Sequence, residues 1–127
     1  MEGFHNNYGQ KIFSFTNTKK VHYDIYIRKP NKLHYGEGVY GLCFDPEEEN
    51  PHILINPDQS DRAMMNTCIH EVCHAFFWDK SEYDISRCAS TISNLIFKLG
   101  WRKVEDVKSE PSSKKNRVRV KARRGKK

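Results

Sequence analysis

Hydrophobic and polar positions divide this chain into a front part that alternates and a back part with helical spacing. Over residues 20–27, Val21, Tyr23, Ile25 and Ile27 share one face, while His22, Asp24 and Tyr26 share the other. That two-residue period predicts a half-buried strand, which Pro30-Asn31 closes. A second strand is predicted over 38–44, and a third over 52–56 that stops at Pro57. The intervening Asp45-Pro46-Glu47-Glu48-Glu49-Asn50-Pro51 reads as a solvated turn. Residues 1–19 contain Phe4, Tyr8, Phe13 and Phe15 without a clean period, so this segment is expected to be irregular, with room for a short strand near 11–16.

The period then changes. From about Asp61 to Trp78 the residues Met65, Cys68, Ile69, Val72, Ala75 and Phe76 recur at helical spacing and form one stripe. Ser81 reads as the N-cap of a second helix, with Asp84 three residues on as a weaker capping box. Ile85, Cys88, Ala89, Ile92, Leu95, Ile96 and Leu99 follow as a stripe expected to pack on the core, and Gly100 stops the helix. Strands followed by helices give an α+β class, here a small antiparallel or mixed sheet of about three strands packed on two helices. The domain is expected over 20–108, between the irregular 1–19 segment and a basic tail over 109–127.

The candidate chemistry lies on the first helix, in His70-Glu71-Val72-Cys73-His74. Residues four apart share one helix face, so two imidazoles can converge on one ion, with a carboxylate between them in sequence. This is the H-E-x-x-H pattern, in which both His are zinc ligands and Glu71 is a general base acting on water. On a helical wheel His70 and His74 fall on the side away from the apolar stripe, as ligands in a cleft should. A catalytic zinc takes a third protein ligand. Glu82 lies at the edge of the second helix's stripe and is the leading candidate, ahead of Asp84, which has the capping role, and Asp79. An acid in a first turn is also favoured by the helix dipole alone.

The run from Cys68 to Asp79, then Ser81-Glu82 and Leu99-Gly100-Trp101-Arg102, resembles small bacteriophage-encoded metallopeptidases of the zincin class, often described as SprT-like. The resemblance covers about residues 38–102. It implies a minimal zincin-like fold with one zinc ion, two His ligands at His70 and His74, Glu71 as base, and an acid at the start of the following helix as third ligand. It also implies an edge strand over the cleft, a role the third strand could fill, on which an extended peptide would pair and present its carbonyl. The chain departs from SprT and Spartan proteases in having no His after His74 and no C-x-x-C pair, so their specificity is not carried over.

Composition narrows the setting. With 127 residues and 37% hydrophobic content, one modest core can form. No stretch reaches the length of a membrane span and no signal peptide is evident, so a cytoplasmic protein is expected, in the host cytoplasm if the phage resemblance holds. The four cysteines fit buried thiols rather than a disulfide framework. The formal charge of +6 is carried by the end of the chain, because Lys114 to Lys127 contains nine Lys or Arg and no acid. That stretch is expected to be a disordered cationic arm suited to sequence-blind nucleic-acid binding, or to solubility. The leading expectation is therefore a zinc-dependent peptidase with a peptide or protein substrate. The alternative is a nucleic-acid-associated or host-directed binding protein with a structural zinc. Tyr40, Tyr83, His34 and His52 are all available as a further donor to a transition-state oxyanion.

Overall fold

The computed structural model describes residues 9–104. The expected basic tail, 109–127, lies outside the described residues, as do positions 1–8. The elements are β1 (Gln10–Thr16), β2 (His22–Ile27), α1 (Lys32–Tyr35), β3 (Gly41–Cys43), β4 (His52–Ile55), α2 (Asp61–Phe76) and α3 (Glu82–Lys98). The class is α+β, as expected, but the sheet has four strands rather than three. The added strand is β1, at the place near 11–16 where the sequence left room for a short strand.

The strand order is β1-β2-β4-β3. β1 and β2 form an antiparallel hairpin, β2 runs parallel to β4, and β3 is antiparallel to β4. This order corrects one expectation. The 52–56 segment is an interior strand, paired on both sides, and the edge belongs to β3. β4, His52-Ile53-Leu54-Ile55, is buried at every position, with His52 its one polar residue, as suits a strand covered on both faces.

Alternation in β2 places side chains as expected. Tyr23 and Ile25 are buried, with Val21 and Ile27 packed against them. Together with Ile53, Ile55 and Ala75 they make the core, closed by Phe15, Met64, Cys68 and Val72. Phe15 stacks between Tyr23 and Phe76, with ring centroids 5.5 and 5.6 Å apart, and so ties the hairpin to the end of α2.

Both long helices start at a serine. Ser60 Oγ accepts from Ala63 N and Ser81 Oγ from Asp84 N, each satisfying one of the amides left without a helical partner. The face of α2 turned to the sheet is centred differently from the expected stripe. Cys68, Val72 and Ala75 do face the core, but Met64 joins them, and Thr67 and Glu71 are buried where Met65 and Ile69 were expected.

The stripe of α3 departs further. This helix makes its substantial contacts with α2, and only Ile85, Ala89 and Ser93 are buried. Cys88, Ile92, Leu95 and Leu99, expected in the core, are exposed. A single neighbouring helix covers a narrower strip than a sheet would, and periodicity does not reveal which neighbour is present.

Asn17 holds the hairpin turn onto the metal-motif helix. Its Nδ2 donates to Ala75 O at 2.9 Å, and its Oδ1 accepts from Lys19 N and Val21 N at 2.9 and 3.0 Å. The residue is buried, so water cannot replace these bonds. Asn17→Ala should lower stability by about 2–4 kcal/mol in urea unfolding. Asn17→Asp keeps both acceptor bonds and loses only the donor to α2, so it should also destabilise; an unchanged midpoint in both variants would show that the tether is not structural.

Candidate metal centre

The two motif histidines lie one helical turn apart on α2, with ring centroids 4.9 Å apart. The loop after Phe76 is short, and Ser81 caps α3 at once. This brings the first residue of α3, Glu82, opposite them. Its Oε2 lies 3.0 Å from His70 Nε2 and its Oε1 2.9 Å from His74 Nε2, so one carboxylate spans both imidazoles. Ligand atoms of His70, His74 and Glu82 all lie within 4.8 Å of one another. Ligand–ligand distances in a tetrahedral zinc site are about 3.3–3.5 Å. The three donors are therefore already clustered at close to the scale a small cation requires, and the donor set of two nitrogens and one oxygen suits zinc.

Asp84 and Asp79, the alternatives to Glu82, are not in this group. Asp84 follows the Ser81 cap and lines a separate hollow between α2 and α3, and Asp79 lines another hollow with Asn17 and Trp78. Glu82 is held by the two imidazoles and by Ser86 Oγ, which donates to Oε2 at 3.2 Å. Slight burial works to raise its pKa, but the neighbouring imidazoles win and hold the carboxyl below its usual range. Burial lowers the pKa of His70, helped by His74 and opposed by Glu82. A lowered value favours the neutral imidazole, the form that ligates metal.

Glu71 projects from the same turn toward the sheet. It is 8% exposed, and no described residue donates a hydrogen bond to its carboxylate. Burial, with a smaller contribution from the Glu82 charge, pushes its pKa up to about 7. A buried carboxyl without a donor is costly, and such groups concentrate at functional sites. The neighbour across from it is Gly41, in the edge strand. A Cβ there would lie 2.6 Å from Thr67 Cγ2 and 3.1 Å from Glu71 Cγ, so the absence of a side chain lets α2 and β3 approach.

Gly41, Leu42, Cys43, His70, Glu71, His74, Trp78 and Glu82 line one cleft of about 360 Å³. The edge strand is thus one wall and the metal-motif helix the other. Trp78, edge-on to His74 at 6.2 Å, closes one end. Comparison with protein families, with curated proteins and with solved structures finds no match.

None of Tyr40, Tyr83, His34 and His52, the oxyanion candidates, is among the residues lining the cleft. His52 is buried and stacks on Phe44, and Tyr83 is 71% exposed. Sequence reasoning missed Gly41, Cys43 and Trp78 as cleft residues. Gly41 carried a readable signal, since a glycine inside a strand marks a close approach of another backbone or side chain. Trp78 carried none, because its position depends on how the chain leaves α2.

The raised pKa of Glu71 fixes the sign of a stability effect in metal-free protein. Below the ordinary value of 4.5 the carboxyl is protonated whether folded or not, and burial costs no charge. As pH rises from there through about 7, the unfolded chain ionises first and folding loses stability. With metal removed by chelation, Glu71→Gln should match the wild type near pH 4 and exceed it at pH 8 by about 2–3 kcal/mol in urea unfolding. An equal difference at both pH values would contradict the burial of an ionisable carboxyl here.

Proposed function

We propose that this protein is a zinc-dependent metallohydrolase, most specifically a peptidase, in which His70, His74 and Glu82 hold one Zn²⁺ and Glu71 is the general base. The observation that carries the reading is the pairing of two different carboxylates at one cleft. Glu82 is drawn to the imidazoles with its pKa lowered, while Glu71 is buried without a donor among the described residues and its pKa is pushed up to about 7. A metal site that only braced the fold would use the first arrangement and would gain nothing from the second.

Zinc held by these donors would supply Lewis acidity toward a carbonyl and would make water acidic near neutral pH. Glu71 is the group that takes a proton from water in the cleft and returns it to the departing amine, and an acid near neutrality is matched to both transfers. His70 and His74 would each offer a ring nitrogen to the ion. Trp78 and the strand wall limit how far the reacting groups are open to solvent.

The position of β3 supports a peptide as substrate. It pairs with β4 on one side only, and its other edge borders the cleft beside Glu71. An extended segment can add to such an edge through backbone hydrogen bonds, which would lay its amides across the motif helix. The proposal makes no use of the basic tail. No helix among the described residues is long and apolar enough to cross a membrane.

Metal content by mass spectrometry, on protein purified without added metal or a His tag, should give near one zinc per chain. Zinc should be lost in His74→Ala, weakened in Glu82→Ala and retained in Glu71→Gln. Cleavage of a mixed peptide library, followed by new amino termini, should fall by about 10²–10⁴-fold in Glu71→Gln. Zinc retained with undiminished cleavage in Glu71→Gln would remove the base assignment. Wild type that takes up no zinc would overturn the metal reading itself.

A further inference from the structure

Apart from the His70, His74 and Glu82 group, two cysteines line one hollow between α2 and α3. Cys73 immediately precedes His74, and Cys88 lies on α3 six residues after Glu82. Burial, and after it the neighbouring Cys88 thiol, push the Cys73 thiol up. Both line a hollow of about 240 Å³ together with Phe77, Lys80, Asp84 and Ile85. Cys88 is exposed and Cys73 half-buried, so Cys88 is the more accessible of the two. The buried strip of α3 is Ile85, Ala89 and Ser93, and of these Ile85 lines the hollow. The sequence predicts neither the pairing nor any disulfide. The other two thiols are placed differently, with Cys43 in the edge strand and Cys68 against the core.

We propose that Cys73 and Cys88 are a redox-active pair, a modification site at which a low-molecular-weight disulfide of the glutathione type forms a bridge between α2 and α3. The Cys88 sulfur attacks one sulfur of oxidised glutathione, that S–S bond breaks, and one glutathione leaves with the thiol proton. The Cys73 sulfur then attacks the Cys88 sulfur of the mixed disulfide and releases the second glutathione with the second proton. Two protein thiols are oxidised to one disulfide, and the two electrons reduce one oxidised glutathione to two molecules of the thiol. The bridge closes a loop that contains the interhelical turn and Glu82. It thereby limits the movement of the Glu82 helix relative to the two histidines. Only this last consequence rests on the metal reading above.

The test uses the full chain, treated with chelator and equilibrated in buffers of graded reduced and oxidised glutathione, then alkylated and weighed intact. Wild type should lose two hydrogens and acquire no alkyl group at Cys73 or Cys88, and digestion should yield the Cys73–Cys88 cross-linked peptide. The oxidised form should unfold at higher urea than the reduced form. Cys73→Ser should stop at a glutathione adduct on Cys88, and Cys88→Ser should form no bridge at Cys73. Wild type that stops at the Cys88 adduct, or that bridges another pair or another chain, overturns the proposal. Zinc content measured in parallel keeps the two readings apart, because a bridge that forms in protein unable to take up zinc overturns the metal assignment alone.

Discussion

The contact of α2 with the edge strand at Gly41 is the constraint on which the cleft depends. Glu71 lies on the buried side of α2 and has to pass between helix and strand. A side chain at position 41 would occupy the space taken by Thr67 and Glu71. With glycine there, the helix settles low enough for its carboxylate to reach the cleft from beneath while the two imidazoles enter from the side. The same closeness keeps donors away from Glu71 and so raises its pKa. Packing and acidity are here one fact seen in two ways, because the strand that permits the approach is the strand that excludes water.

The two carboxylates differ in acidity through environment rather than chemical type. Glu82 stands at the exposed start of α3, where imidazoles and the helix amino end favour its charge. Glu71, on α2, is pushed in the opposite direction by burial. Their mutual repulsion strengthens the split, since the charge on Glu82 is one of the causes that keep Glu71 protonated. Separating the pKa values of neighbouring acids in this way is how a protein assigns one to hold charge and the other to move protons.

Much of this was legible in the sequence, and the residues show why. The motif spacing placed both histidines, Ser81 marked the start of α3, and with it the position of Glu82 one residue on. Alternation over 20–27 identified Tyr23 and Ile25 as core. What was not legible depended on contacts between distant segments. Strand 52–55 and strand 41–43 both read as strands, but only pairing with β2 makes the first interior and leaves the second at the edge. Strand β1 lacks a buried alternating face because it too lies at an edge, so its residues are largely exposed and show little period. Leu95 and Leu99 continue the helical stripe of α3, yet they extend past the strip that α2 can cover.

The interface between α2 and α3 explains how an exposed glutamate can be held at a fixed point. Glu82 has a side chain 68% exposed, so no packing confines it. The helices beneath it, however, are joined by short and polar residues. Asn66 Nδ2 donates to Ser93 Oγ at 3.1 Å and Ser90 Oγ at 3.4 Å, and Arg62 reaches Asn94. Hydrogen bonds of this kind are directional, whereas apolar side chains of similar size can slide past one another. A slip of one residue along α3 would move Glu82 by about 1.5 Å and turn it by about 100°, taking its carboxylate away from both imidazoles. The polar ladder therefore fixes register at the lower end of the helix pair, and that register places Glu82 at the upper end. Because His70, His74 and Glu82 already meet, a metal ion entering the site would replace contacts rather than assemble them, and little of its binding energy would be needed to order the chain.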